Sequence, residues 1–264
     1  MRQIRPNRAK RRLAAGQHVI AIEGLNHPDA IERLAPLQPQ AFWLEGEHWL
    51  ATPTNIGDLT RACDVSGSTS IVRVGRAEKQ LVYHALDLGA QGIAVPHVST
   101  AEAAARVVDA AKFAPLGHRG IYISRQGIDV PDYFQQANDE TLVVVFIEDA
   151  EALDNLDAIL EVDHIDVFFV GPGDLSQAVG HVGEFTHPAV TKVVDDTIRH
   201  IIDRGRTAGT VGFQDNMAHV AEVGAKFFLC GAASWILQGF NDLRETLEGV
   251  ERGSDRTSSS PRAR

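Results

Sequence analysis

Two stretches decide the fold: Leu142–Glu148, LVVVFIE, and Asp166–Val170, DVFFV, the second running straight into Gly171–Asp174, GPGD. Short, nearly continuous apolar runs rich in β-branched and aromatic residues are what strands buried on both faces look like. Each breaks off at a polar group, Glu148 in the first and Asp174 after the second.

The same pattern repeats in both directions. His18–Glu23 (HVIAIE), Phe42–Glu45 (FWLE), Ser70–Val74 (SIVRV) and Gly92–Val95 (GIAV) come before, and Ala208–Val211 (AGTV) and Phe227–Cys230 (FFLC) after, making eight strands. Helical patterns separate them. Thr100–Ala114 opens on a capping threonine with Glu102 in its first turn. Pro188–Arg204 carries Val190, Val193, Val194, Ile198, Ile201 and Ile202 on one face. Eight βα units predict an α/β chain folded as a (β/α)8 TIM barrel, one domain over residues 1–252. A short helix over Pro6–Ala15 precedes it. The C-terminal helix Trp235–Leu247 carries enough apolar residues to pack on its own barrel or on a neighbour's. Gly117–Asn138 is the longest stretch without a clear element, and the Ser-rich tail 253–264 reads as disordered.

Composition agrees. A length of 264 residues suits one barrel of roughly 250. A formal net charge of −10 argues against a nucleic-acid surface. No apolar run approaches the ~20 residues of a membrane helix. Cys63 and Cys230 lie far apart in apolar stretches and read as buried reduced thiols, which places the chain in the cytoplasm. Arg2, Arg5, Arg8, Lys10, Arg11 and Arg12 are followed by no apolar signal core. They read as the solvated face of the first helix, with phosphate contact as the alternative.

In such barrels the chemistry sits at the C-terminal ends of the strands. Those ends hold Glu23, then Glu45, Glu47 and His48, then Arg73, Pro96–His97, Glu148, and Gly171–Asp174. Any one of these carboxylates can be merely solvated; their agreement across strands points to a site. Glu148 and Asp174, on adjacent strands, make an oxygen-rich pair suited to Mg²⁺ or Mn²⁺, and Co²⁺ or Zn²⁺ can use the same ligands. Gly171 and Gly173 let backbone N–H groups approach a substrate carboxylate. A buried Arg73 needs an anion, either a developing oxyanion or a neighbouring carboxylate such as Glu45. His48 is placed to act as a general base or to orient a water that does.

These residues also carry a resemblance. EGEHW at Glu45–Trp49, IVRV at Ile71–Val74, LDLGAQGIAVPHV at Leu86–Val98 and APLGHRG at Ala114–Gly120 resemble the class II pyruvate aldolases of the HpcH/HpaI family. So do DYFQQAND at Asp132–Asp139, FIE at Phe146–Glu148 and VGPGDLSQAVGHVG at Val170–Gly183. The resemblance runs in order from about Arg8 to Gly249. It implies a metal-dependent carbon–carbon lyase, an oligomer (hexamer or trimer), that reversibly cleaves 4-hydroxy-2-oxo acids into pyruvate and an aldehyde. It implies Glu148 and Asp174 as metal ligands, His48 as base and Asp87 as the acid paired with it. It implies Arg73 as the group on the 2-oxo oxygen, and the backbone around Gly173 and Asp174 as the carboxylate site.

The chain departs from the family at several points. Glu45 stands where the family has Asp, which predicts a carboxylate reaching one methylene further toward His48 or its water. Phe146 stands where the family has Gln, which predicts a less polar substrate pocket that disfavours polyhydroxylated substrates; simple packing is the alternative. The loop after Arg119–Gly120 is shortened to IYISRQGIDV, and Ala232 or Ala233 replaces a polar residue. Retained ligands with changed surroundings leave two other enzymatic readings open, an oxaloacetate-type decarboxylase and an enolate-capturing enzyme. A non-catalytic metal- or oxo-acid-binding barrel is the reading of another class.

Overall fold

The structure is a computed structural model that describes residues 3–48 and 50–258, with side chains as far as Glu251. Eight parallel strands close into a barrel in sequence order: β1 (Val19–Glu23), β2 (Ala41–Glu45), β3 (Thr69–Arg73), β4 (Gly92–Val95), β5 (Leu142–Ile147), β6 (Val167–Val170), β7 (Ala208–Val211) and β8 (Phe227–Gly231). All eight strands fall where the apolar runs predicted, within a residue or so at each end. By contact density the chain divides into two compact units, Met1–Cys230 and Gly231–Arg264.

Inward-facing residues alternate along the strands and fill the barrel. Val19 and Ala21, Ala41 and Trp43, Ile71, Leu142 with Val144 and Phe146, Val167 with Phe169, and Phe227 with Leu229 form one buried cluster. Trp43 stands at its centre, with ring centroids 5.8 Å from Phe146, 6.0 Å from Phe169 and 6.3 Å from Phe227. Continuing each alternation one step past these residues brings Glu23, Glu45, Arg73 and Glu148 to the inner rim at the C-terminal end. The packed core is therefore the floor of the site.

The N-terminal helix, Arg8–Ala14, lies across the other end of the strands, with Ala9 inside the core cluster and its N–H donating to Thr69 Oγ1 at 3.0 Å. The basic run is only partly a solvated face. Arg5 pairs with Asp64 at 2.8 Å, Lys10 with Asp166 at 2.9 Å, and Arg11 with Glu140. These cations fasten the helix to the barrel; Arg2 lies outside the described residues.

The stretch Gly117–Asn138 is more structured than its sequence suggests, because the helix Tyr133–Glu140 begins inside it. Tyr133 and Ala137, one turn apart, pack with Phe113 and Val130 in a small satellite cluster. The second unit is built on the helix Ala232–Ser258, which continues past Gly253 into the segment read as a disordered tail. Residues 259–264 lie outside the described residues. Trp235, Ile236, Leu237, Phe240, Leu243 and Leu247 of this helix are all exposed.

Candidate active site

Glu45 ends β2 and is 2% exposed. Its Oε1 accepts the N–H groups of Glu47 at 2.8 Å and His48 at 3.0 Å, and its Oε2 accepts Trp43 Nε1–H at 3.2 Å. It therefore caps the turn that launches EGEH, and a carboxylate oxygen of Glu45, one of Glu47 and a ring nitrogen of His48 all lie within 4.8 Å of one another. Trp49 of that motif lies outside the described residues.

Arg73, opposite Glu45 in the β2–β3 register, is gripped by two carboxylates. Nε lies 2.8 Å from Glu45 Oε2, and Nη2 lies 2.8 Å from Glu47 Oε2. The first contact is an ion pair and not a hydrogen bond, since the Nε–H direction misses the oxygen. Arg73 is thus salt-bridged to Glu45, one of the two settings expected of it, at the C-terminal rim of the barrel. Half-buried Glu23 adds a further carboxylate at the end of β1. Burial and the neighbouring Glu45 push its carboxyl up, while Arg73 and His48 pull it down.

Glu148 follows β5 and is 3% exposed. Its Oε1 accepts the N–H of His97 at 2.8 Å. Burial pushes its carboxyl up to about 7, with the negative charge of Asp174 adding to the effect. A cation shared between the two groups reverses both influences. Asp174 sits in the first turn of the short helix Pro172–Ala178, exposed beside Gly173. Ligand atoms of His97, Glu148 and Asp174 all lie within 4.8 Å of one another, so the two carboxylates converge closely enough to share one divalent ion. The residues present fit the metal that the sequence implies.

The glycines divide their roles. A β-carbon on Gly171 would stand 2.7 Å from Glu148 Oε2, so Gly171 makes room for the Glu148 carboxylate. A β-carbon on Gly173 would meet nothing within 4 Å, which leaves the backbone there open to a ligand.

Two expected site residues lie off the rim itself within one chain. Phe146 is 2% exposed, its ring 4.5 Å from Phe169 and 5.4 Å below the Arg73 guanidinium. It packs the floor under Arg73, an inward position one pleat below the rim, and its ring edge would lie 3.4 Å from a β-carbon on Gly171. Asp87 ends the helix Lys79–Asp87, and its Oδ1 accepts Arg119 Nη2–H at 2.7 Å. Barrel helices run antiparallel to the strands, so this helix ends near the start of β4, whereas His48 follows the C-terminal end of β2. Within one chain Asp87 does not back His48.

Two residues to which the sequence assigns no role join the site. His97 holds Glu148 through its main chain, with a backbone φ of 51°. Glu47 ties Arg73 to the His97 ring, 3.6 Å from Nε2. The sequence signal for both was position alone: each follows a strand next to one that ends in a charged residue.

The profile of the HpcH/HpaI aldolase/citrate lyase family matches residues 24–241. A 2-keto-3-deoxy-L-rhamnonate aldolase of Klebsiella pneumoniae is 38% identical over 200 residues, 72% of this chain and 73% of that protein. One from Escherichia coli K12 is 36% identical over 213 residues, 76% of this chain and 78% of that one. The crystal structure of an HpcH/HpaI aldolase/citrate lyase family protein from Burkholderia cenocepacia superimposes with a TM-score of 0.83 at 28% identity, covering 93% of this chain and 99% of that one. A profile match over that span, with relatives this similar across most of both chains, makes the chain a member of the HpcH/HpaI aldolase/citrate lyase family and a carbon–carbon lyase of the aldolase type.

Proposed function

We propose that the chain reversibly cleaves a 4-hydroxy-2-oxo acid into pyruvate, or a related 2-oxo acid, and an aldehyde, with Glu148 and Asp174 holding a divalent ion. The observation that carries this reading is the meeting of Glu148, Asp174, Arg73 and His48 at one rim of the barrel. When bound, Mg²⁺ or Mn²⁺ supplies Lewis-acid polarisation of the 2-oxo group. Backbone N–H groups at Gly173 and Asp174 take the substrate carboxylate. Arg73, with Nε and Nη2 committed to Glu45 and Glu47, offers its remaining edge to the 2-oxo oxygen as negative charge develops there. His48 takes the 4-hydroxyl proton, directly or through a water, as the C3–C4 bond breaks and its electron pair passes toward the 2-oxo group. The aldehyde departs, and a proton delivered to C3 completes pyruvate. Addition is the same path reversed.

A homo-oligomer follows from the same reading. Asp87 can back His48 only across copies, and the exposed apolar residues of the helix Ala232–Ser258 supply a surface to bury. Two buried, unpaired cysteines support a reducing cytoplasm. No helix among the described residues is long and apolar enough to cross a membrane.

The relatives that act on 2-keto-3-deoxy-L-rhamnonate make polyhydroxylated 2-oxo acids the first substrates to try. The test is pyruvate release from a panel of 4-hydroxy-2-oxo acids, with EDTA and then with Mg²⁺, Mn²⁺ or Co²⁺ restored. Release that EDTA stops and an ion restores supports the reading. No release from any acid with any ion overturns it.

A further inference from the structure

Nothing so far gives the imidazole of His97 a task, although its main chain is already bound into the site. We infer that His97 is a third protein ligand of the metal, binding through Nδ1, with Glu47 orienting the ring from behind. This rests on the reading of Glu148 and Asp174 as metal ligands and deepens it.

The first support is spacing. His97 Nδ1 lies 3.3 Å from Glu148 Oε1. Adjacent ligands on a six-coordinate ion with bonds of about 2.0–2.3 Å stand roughly 3 Å apart. These two atoms already have the separation of neighbours on one ion, and Asp174 completes the group within 4.8 Å.

The second support is the far side of the ring. Nε2 faces Glu47 Oε1 at 3.6 Å, and the other oxygen of Glu47 is held by Arg73 Nη2 at 2.8 Å. A carboxylate behind a histidine favours the tautomer with its proton on that side, which leaves the opposite nitrogen's lone pair for a metal. The chain Arg73–Glu47–His97 is thus arranged as ligating histidines are usually backed.

The third support is the backbone. A φ of 51° is left-handed, uncommon for a residue with a β-carbon, and such conformations gather at functional sites. Packing does not account for it, since the His97 side chain is 55% exposed. The conformation aims the N–H at Glu148 Oε1 while keeping the ring beside the same carboxylate. The competing arrangement is an imidazolium ion-paired with Glu148 and Glu47, with no bond to the metal.

An imidazole in place of a water shifts a two-carboxylate site away from Mg²⁺ and toward Mn²⁺, Co²⁺ and Zn²⁺. The experiment uses the full chain stripped with EDTA and loaded with Mn²⁺ alone. It is read by electron spin echo modulation for ¹⁴N coupling and by titration for Kd. The expected result is imidazole ¹⁴N coupling in the parent and in His48→Gln, and none in His97→Gly, a variant that suits the left-handed φ. In His97→Gly the Mn²⁺ Kd should rise at least about tenfold, the lower end of what losing a partner behind a ligand costs, and the Mg²⁺ Kd should rise less. Bound Mn²⁺ without imidazole coupling in the parent, or coupling that persists in His97→Gly, overturns the His97 assignment and leaves Glu148 and Asp174 standing. No Mn²⁺ binding, or binding indifferent to Glu148→Ala, overturns both.

Discussion

Gly171 and Glu148 are fitted to each other: a single β-carbon on the glycine would lie 2.7 Å from Oε2 and 3.0 Å from Cβ of the glutamate. Glu148 is buried against β6, so its carboxylate has little room to retreat. Gly171→Ala is therefore expected to turn the Glu148 carboxylate and weaken metal affinity and kcat/KM together, by at least about tenfold. Gly173→Ala, with open space at its β-carbon, should leave metal affinity unchanged. Equal affinities in the two variants, measured by Mn²⁺ titration, would show that Glu148 does not depend on that glycine.

Arg73 is expected to resist conservative replacement. A lysine presents one point of charge and cannot hold Glu45 and Glu47 from separate nitrogens while offering a third edge. Arg73→Lys should lose about 100-fold or more in kcat, the scale of one oxyanion-stabilising contact. A variant close to the parent would reduce Arg73 to an ion-pair partner.

Phe146 is expected to matter for stability and not for substrate choice. Its ring is enclosed by Trp43, Phe169 and Arg73. Phe146→Gln puts an amide among them at a cost of about 1–3 kcal/mol if it finds no partner. The ratio of kcat/KM for a polyhydroxylated and an apolar aldehyde acceptor should not move. A changed ratio would return Phe146 to the substrate surface.

Lys112 sets a pH dependence far from the site. It is 1% exposed, with Nζ donating to the carbonyls of Asn138 at 2.6 Å and Thr141 at 2.7 Å. Burial brings its ammonium down to about 7 from 10.5, and Lys10 nearby adds to the shift. Between those values the unfolded chain holds a proton that the folded chain lacks, so stability rises with pH across that window. Below about 7 the cost of the buried charge is fully present. One proton gives a slope of at most ~1.4 kcal/mol per pH unit. Urea unfolding from pH 7 to 9.5 should show the parent gaining on Lys112→Met. Parallel curves would mean that Lys112 titrates like an exposed lysine.

The barrel was legible because its strands are local objects. LVVVFIE and DVFFV need no partner to declare themselves buried, and the direction of a parallel strand says which end carries the chemistry. The placement of Glu148, Asp174, Arg73 and His48 at one rim of the barrel was readable for that reason. The helix Tyr133–Glu140 was not, because it opens on Asp132 in a left-handed conformation and its run YFQQANDE is mostly polar.

What each charged residue pairs with was decided only by tertiary structure. Glu45 keeps a carboxylate oxygen within 4.8 Å of a His48 ring nitrogen, and the strand register also sets it against Arg73 and its own turn. Asp87 reads as a partner for His48, yet the antiparallel run of its helix takes it to Arg119 within one chain and leaves that pairing to a second copy. Phe146 looked like a pocket wall, and the closed barrel makes it floor. His97 acquires a place beside Glu148 through one backbone angle and the pairing of β4 with β5. Burial patterns are written along the chain because they depend on each residue's own chemistry. Pairings depend on which distant segments closure brings within a few ångströms, and no single stretch of sequence contains that.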